Sequence, residues 1–197
     1  MVSQAQRRAQ TRSKIIKAAK KLFDKQGFED TSVDQIVKTA DVAKGTFYQY
    51  YETKIDVLAD VARDEGAEKM RQGLEAVANG APALAMLERY IKGQCEWFEA
   101  HENVAEALIL GALRTVGEEK PEDEHRYSRI FLAKLMKLAQ DQGVIRQDVD
   151  PKDVAKVIGG ALVVSVLSWS KQPVPGVLLP SMQRTLDIVL HGVKTGS

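Results

Sequence analysis

The side chains able to do chemistry in this sequence fall into two groups. One is acid–base or metal-ligating. Glu122-x-x-His125 is half of the carboxylate di-iron pattern of helical bundles. The second half is missing, because Phe98 stands three residues before His101 and Ile188 three before His191. His101-Glu102 lacks the second histidine of a zinc-protease helix. Cys95 is the only cysteine, so neither a disulfide nor a thiolate cluster is available within the chain. No glycine-rich phosphate loop occurs. An enzyme, a metal and a cofactor are therefore not expected. The other group is Lys44, Thr46 and Tyr48, spaced along one short segment, with Lys54 beyond it. A lysine neutralises a phosphate, a threonine touches a base edge or a thymine methyl, and a tyrosine donates to a phosphate oxygen. Ser32 and Tyr50 flank the segment and complete the candidate DNA-contacting set: Ser32, Lys44, Thr46, Tyr48, Tyr50 and Lys54.

Those residues need a scaffold, and the periodicity supplies helices throughout. Ile15, Ala18, Ala19, Leu22 and Phe23 recur at three- and four-residue steps, giving the first helix one apolar stripe that stops at Gly27. Ser32 with Gln35 three residues later is a capping box, where a hydroxyl and an amide satisfy exposed backbone N–H groups reciprocally. It opens a second helix that runs to about Thr39 with Val33, Ile36 and Val37 inward. A break at Ala40-Asp41-Val42 precedes a third, about 43–49. Two short helices across a tight turn, spanning 32–51, have helix-turn-helix dimensions. Their steep crossing needs small residues, and Ala40 and Gly45 suit it. Phe47 is assigned to the core. Of Tyr50 and Tyr51, one packs and the other reaches the DNA backbone. A fourth helix starts at Thr53 with Asp56 at the capping-box position and runs to about Asn79-Gly80. Further helices are expected at about 82–100, 102–115, 121–142, 151–171 and 180–194. Asp150-Pro151 is a strong start signal. No strand alternation and no internal repeat are present, so the fold is all-α.

Charge separates the two ends. Residues 1–60 hold 11 Lys/Arg against 8 Asp/Glu, and the remainder 17 against 19. In the first 25 residues, Arg7, Arg8, Arg12, Lys14, Lys17, Lys20, Lys21 and Lys25 face only Asp24. This is a basic element on a near-neutral body, and the whole chain carries only +1. Arg7, Arg8 and Arg12 are read as a mobile arm able to reach a phosphate or the minor groove. The acidic stretch 118–124 is read as a solvated loop before a helix start. The longest uncharged apolar stretch, from Val157 to Ser170, falls short of the roughly 20 residues of a spanning helix. No apolar segment follows the basic N-terminus as a secretory signal requires. No membrane partner is expected, and the expected location is cytoplasmic.

The run TRSKIIKAAKKLFDKQGFEDTSVDQIVKTADVAKGTFYQYYETKIDVL resembles the DNA-binding domain of the tetracycline-repressor (TetR) family, over about residues 9–69 without a gap. The match includes Thr11-Arg12, Leu22-Phe23, Gly27, Thr31, Ile36, Ala40, Val42, the run from Lys44 to Tyr48, Lys54 and Leu58. Three positions depart from the family pattern. Asp41 stands where glycine is usual in the turn, and Asp tolerates a left-handed conformation better than most residues. Ala43 replaces a capping Ser or Thr, with Asp41 as a candidate substitute cap. Tyr51 replaces phenylalanine. The resemblance implies an N-terminal three-helix helix-turn-helix domain, residues 1–69, and a C-terminal helical ligand-binding and dimerisation domain, residues 70–197.

It also implies a homodimer on a palindromic double-stranded DNA operator, acting as a repressor that a small-molecule effector releases, with the fourth helix as the lever. Pairing of the last two long helices would use Val157, Ala161, Val164, Leu186, Val189 and Leu190. Gly159-Gly160 costs helix stability unless close packing compensates. The middle helices would enclose an effector lined by Met86, Tyr90, Gln94 and Trp97 on one stripe, with Phe131, Met136 and Trp169 approaching from neighbours. The alternative is a structural DNA-binding or partner-binding protein on the same fold without a ligand.

Overall fold

The structure is a computed structural model that describes residues 3–114 and 124–193. Among these residues the chain forms helices and no strand. In chain order they are α1 (Gln4–Gln26), α2 (Val33–Ala40), α3 (Lys44–Tyr48), α4 (Lys54–Ala78), α5 (Ala83–Ala100), α6 (Glu102–Arg114), α7 (Glu124–Asp141), α8 (Pro151–Ser170) and α9 (Leu178–Val193). They make two compact units, Met1–Gly66 and Ala67–Ser197.

In the first unit α1 is longer than its apolar stripe. It starts at Gln4 under a capping box of Ser3 and Gln6, so the arginines expected in a mobile arm lie on a regular helix. Gly27 ends it with φ +84, a conformation that glycine adopts without cost. Buried Thr31 donates its hydroxyl to the Gly27 carbonyl at 2.7 Å and fixes the turn into α2. The Ser32–Gln35 capping box then starts α2. Asp41 sits at φ 54, ψ 54, the one left-handed non-glycine residue among those described. Its short polar side chain makes that turn tolerable. Ala43 caps α3 with no side-chain bond, so Asp41 does not replace the missing hydroxyl. Ile15, Ala19, Ile36, Phe47 and Val57 are fully buried and join α1, α2, α3 and the start of α4 in one core. Ala40 is buried with them, but a Cβ added at Gly45 would meet nothing within 4 Å. Gly45 therefore lies on the open face of α3 and not at the helix crossing.

The second unit is a bundle in which α8 packs against α5, α6, α7 and α9. Leu87, Ile91, Leu135, Met136, Ile158, Leu178 and Met182 fill its core. Asp150 accepts from the Lys152 N–H, and Pro151 opens α8. Buried Gln140 donates to the carbonyls of Arg146 and Val149, at 2.9 and 2.8 Å, and holds the α7–α8 loop. By length and hydropathy α8 would pass as a membrane span, a third of it buried in the bundle. Its four helical neighbours and its three charged residues in the first two turns place it as a bundle helix.

Candidate nucleic-acid interface

The turn after α2 and the burial of Phe47 decide what α3 displays. With Phe47 inward, Lys44 and Tyr48 point out, and Tyr48 is 52% exposed. Thr46 is half-buried beside them. Lys44 Nζ lies 2.6 Å from the Asp34 carboxylate on α2, and both side chains are open to solvent. The hydrogen bond to Asp34 raises the Lys44 pKa, so the ammonium is charged at any physiological pH. Ser32 is exposed, with its oxygen accepting from the Gln35 N–H at 3.2 Å. Tyr50 is half-buried, and the Arg8 guanidinium lies 5.8 Å from its ring centroid.

Lys54 behaves otherwise than expected. Its ammonium donates to the carbonyls of Phe28 and Glu29, at 2.5 and 3.2 Å, and sits 4.1 Å from the Phe28 ring centroid. These contacts use two of the ammonium's three N–H donors, and the ring below it, to hold the α1–α2 loop. The start of α4 is instead capped by Thr53 and Asp56, the Thr53 N–H donating to the Asp56 carboxylate at 2.7 Å.

Sequence reasoning missed a buried charge cluster. Asp60 on α4 is 3% exposed. Tyr51 donates its hydroxyl to Asp60 at 2.6 Å, Arg12 on α1 pairs with it at 2.5 Å, and Arg63 pairs with its other oxygen. Burial, reinforced by the bond to Asp60, pushes the Tyr51 phenol well above the ordinary tyrosine range, so it remains a donor. Arg12 is thus engaged at Asp60 and is not part of a mobile arm. The signal was present in the sequence: a tyrosine at a core aromatic position must find a partner for its hydroxyl. Asp60 lies three residues from buried Val57, on the inward stripe of α4.

In the second unit the expected effector residues divide. Tyr90 and Phe131 approach to 4.9 Å between ring centroids and join α5 to α7. Burial raises the Tyr90 phenol, which shares a hydrogen bond with Ser128. Met86 and Gln94 are half-buried on the same face of α5, and Met86 packs toward Gly73 on α4. Trp97 instead stacks on His101 at 4.2 Å. Trp169 is buried and donates its indole N–H to the Val174 carbonyl at 3.0 Å, pinning the loop after α8. Met136 is fully buried core.

The expected dimer residues divide too. Val157 and Val164 are 54% and 62% exposed, and Ala161 and Val189 are half-buried. Leu186 and Leu190 are buried within their own protomer, because the 178–182–186–190 stripe of α9 turns toward the core. Ile188, not expected, is 75% exposed. The Glu122-x-x-His125 spacing and the acidic stretch lie outside the described side chains. No cluster of three metal-ligating side chains occurs among the described residues.

The first 60 or so residues carry the signature described as bacterial regulatory proteins of the tetR family, matched over residues 15–61. Residues 81–195 match the C-terminal domain of SbtR-like transcriptional regulators, which is more than half of the chain. The chain belongs to the TetR family of transcriptional regulators. Among similar proteins, the HTH-type transcriptional regulator UidR of Escherichia coli is 23% identical over 159 residues, covering 80% of this chain and 81% of UidR. The fold of this TetR-family chain is shared with FadR of Thermus thermophilus, a repressor solved with lauroyl-CoA. That match has a TM-score of 0.67 and 24% identity, over 94% of this chain and 96% of FadR. It is shared as well with FadR of Bacillus subtilis, solved with stearoyl-CoA, at a TM-score of 0.60 and 20% identity, over 91% and 98%. The TetR-type helix-turn-helix is therefore the DNA-binding element of a transcription regulator.

Proposed function

We propose that the protein is a homodimeric repressor that reads a palindromic operator with α3 and is released by a small molecule carrying an apolar chain. The observation that carries the DNA reading is the disposition of α3. Phe47 is fully buried while Lys44 and Tyr48 stand out beside exposed Ser32 and an open Gly45. A recognition helix needs this division, with one side anchored and the other able to enter a major groove. In this reading Lys44 and Tyr48 hold phosphates, Thr46 meets a base edge, and Ser32 and Tyr50 contact the backbone from the flanks.

One helix-turn-helix buries too little DNA for specific binding at cellular salt, and two half-sites on a dimer solve this. Val157, Gly160, Val164 and Ile188 supply an uncovered apolar face on α8 and α9, and an added Cβ at Gly160 would meet nothing within its own chain. That supports close helix packing between two copies. The half-buried group of Met86, Tyr90 and Gln94 with Phe131 supports an apolar effector site with a few polar groups. The two FadR structures make long-chain acyl-CoA the first class to try. An effector releases DNA only by as much as it prefers the non-binding state.

The test is selection of bound fragments from genomic DNA, followed by titration of the selected duplex with acyl-CoAs of graded length. A palindromic site released by one chain-length class is expected. A protein that enriches no site, or whose complex withstands every acyl-CoA, refutes the respective half of the reading.

A further inference from the structure

We propose that Asp60 is a positioning residue for DNA recognition, setting the rotation of the recognition helix α3 through Tyr51 and tying it to α1 through Arg12. The helix α3 has only five residues and no side-chain cap at Ala43, so its own hydrogen bonds do little to fix its pose. Its anchors must be tertiary. Phe47 is one, fully buried, but apolar packing sets depth more firmly than rotation because it has no directional requirement. Tyr51 is the other. It lies three residues past the end of α3, its N–H donates to the Phe47 carbonyl at 3.0 Å, and its ring lies 5.6 Å from that of Phe47. Its hydroxyl donates to Asp60, and a hydrogen bond to a carboxylate is short and directional. Asp60 cannot drift, because Arg12 holds the same oxygen and Arg63 the other. Two helices and the segment that follows α3 therefore meet at one carboxylate: α1 through Arg12, that segment through Tyr51, and α4 through Asp60 and Arg63.

A buried ion cluster is weak evidence for stability, since apolar replacements often fold as well. What it supplies is a defined geometry. A phenylalanine at position 51 would fill the same space without any hydroxyl. In this chain the hydroxyl and a buried carboxylate occur together, which an accommodating apolar core would not require.

The inference rests on α3 being the DNA-reading element, and the experiment separates the two. Wild type, Asp60→Asn and Tyr51→Phe are titrated by fluorescence anisotropy against a duplex selected by the wild-type protein, and against an unrelated duplex of equal length. Thermal melts of all three accompany the titrations. A rotated recognition helix loses base contacts but not general phosphate attraction. Asp60→Asn is expected to bind the selected duplex at least tenfold more weakly and the unrelated duplex as well as wild type or better, because a negative charge has been removed. Tyr51→Phe leaves Asp60 with both arginines and is expected to weaken the selected duplex about threefold. Selected and unrelated affinities falling in parallel with the melting temperature would make Asp60 structural only and overturn the proposal. So would unchanged binding in both variants. Should Asp60→Asn fail to fold, Tyr51→Phe decides alone by the same criterion. If wild type itself selects no duplex, the DNA-reading assignment of α3 fails first, and the proposal with it.

Discussion

The ammonium of Lys44 on the recognition helix rests 2.6 Å from the carboxylate of Asp34 on the preceding helix. Both groups are exposed, so the pair adds little to stability. Its consequence is for binding, because a phosphate must compete with Asp34 for the same cation. Lys44→Ala is expected to weaken binding to all duplexes and lower the salt slope by about one. Asp34→Asn is expected to tighten binding to all duplexes. Plots of log Kd against log salt check both. Identical slopes for wild type and Lys44→Ala would remove Lys44 from the phosphate contacts.

Gly45 lies on the same open face. With no atom near an added Cβ, Gly45→Ala should stabilise the free protein by roughly 0.5–1 kcal/mol through helix propensity. The same methyl would stand between α3 and a duplex, so operator binding should weaken while the melting temperature rises. A variant more stable and equally tight would show that the duplex does not approach Gly45.

Tyr51 links stability to alkaline pH. Its phenol titrates higher in the folded chain than in the unfolded one, where the value is about 10. A raised folded pKa means stability that is complete below the unfolded pKa and lost as pH rises above it. Wild type should therefore lose stability more steeply than Tyr51→Phe between about pH 9.5 and 11, the span around that unfolded value. Urea melts across this range measure it, and parallel curves would contradict the bond between Tyr51 and Asp60.

The uncovered face of α8 and α9 makes an assembly prediction. Val164→Asp and Ile188→Asp place a charge at sites 62% and 75% exposed in the protomer. Each should leave helicity intact and shift the sedimenting species toward the 21.8 kDa monomer. Leu186→Asp, in the protomer core, should unfold the chain. Dimers that persist in both surface variants would locate the interface elsewhere.

Cys95 is fully buried, and burial, with Glu99 and Glu96 nearby, pushes its thiol up to about 12. At pH 8 only about one thiol in ten thousand is then ionised, against roughly a quarter for an ordinary cysteine. Native protein should resist Ellman's reagent until guanidinium chloride is added. Prompt labelling of the native chain would mean that α5 opens locally.

Much of this protein could be read along the chain. The Ser32–Gln35 and Asp150-Pro151 starts, the Gly27 stop and the three-to-four spacing of apolar residues are local signals, and the helices follow them because capping and amphipathicity act within one or two turns. The character of the α3 face was legible for the same reason: once Phe47 turns inward, helical geometry leaves Lys44 and Tyr48 out. Tertiary structure decided what covers each face and which charges meet. A stripe in α9 is apolar whether a partner chain or its own core buries it, and only packing assigned Leu186 and Leu190 to the core and left Ile188 outside. Lys54 reads as a free cation until the α1–α2 loop brings two carbonyls to it. Tyr51 signals that its hydroxyl needs a partner, but Arg12, Tyr51 and Asp60 become a cluster only when α1, α4 and the segment after α3 converge, because a charge pair depends on distance in space and the sequence records only distance along the chain.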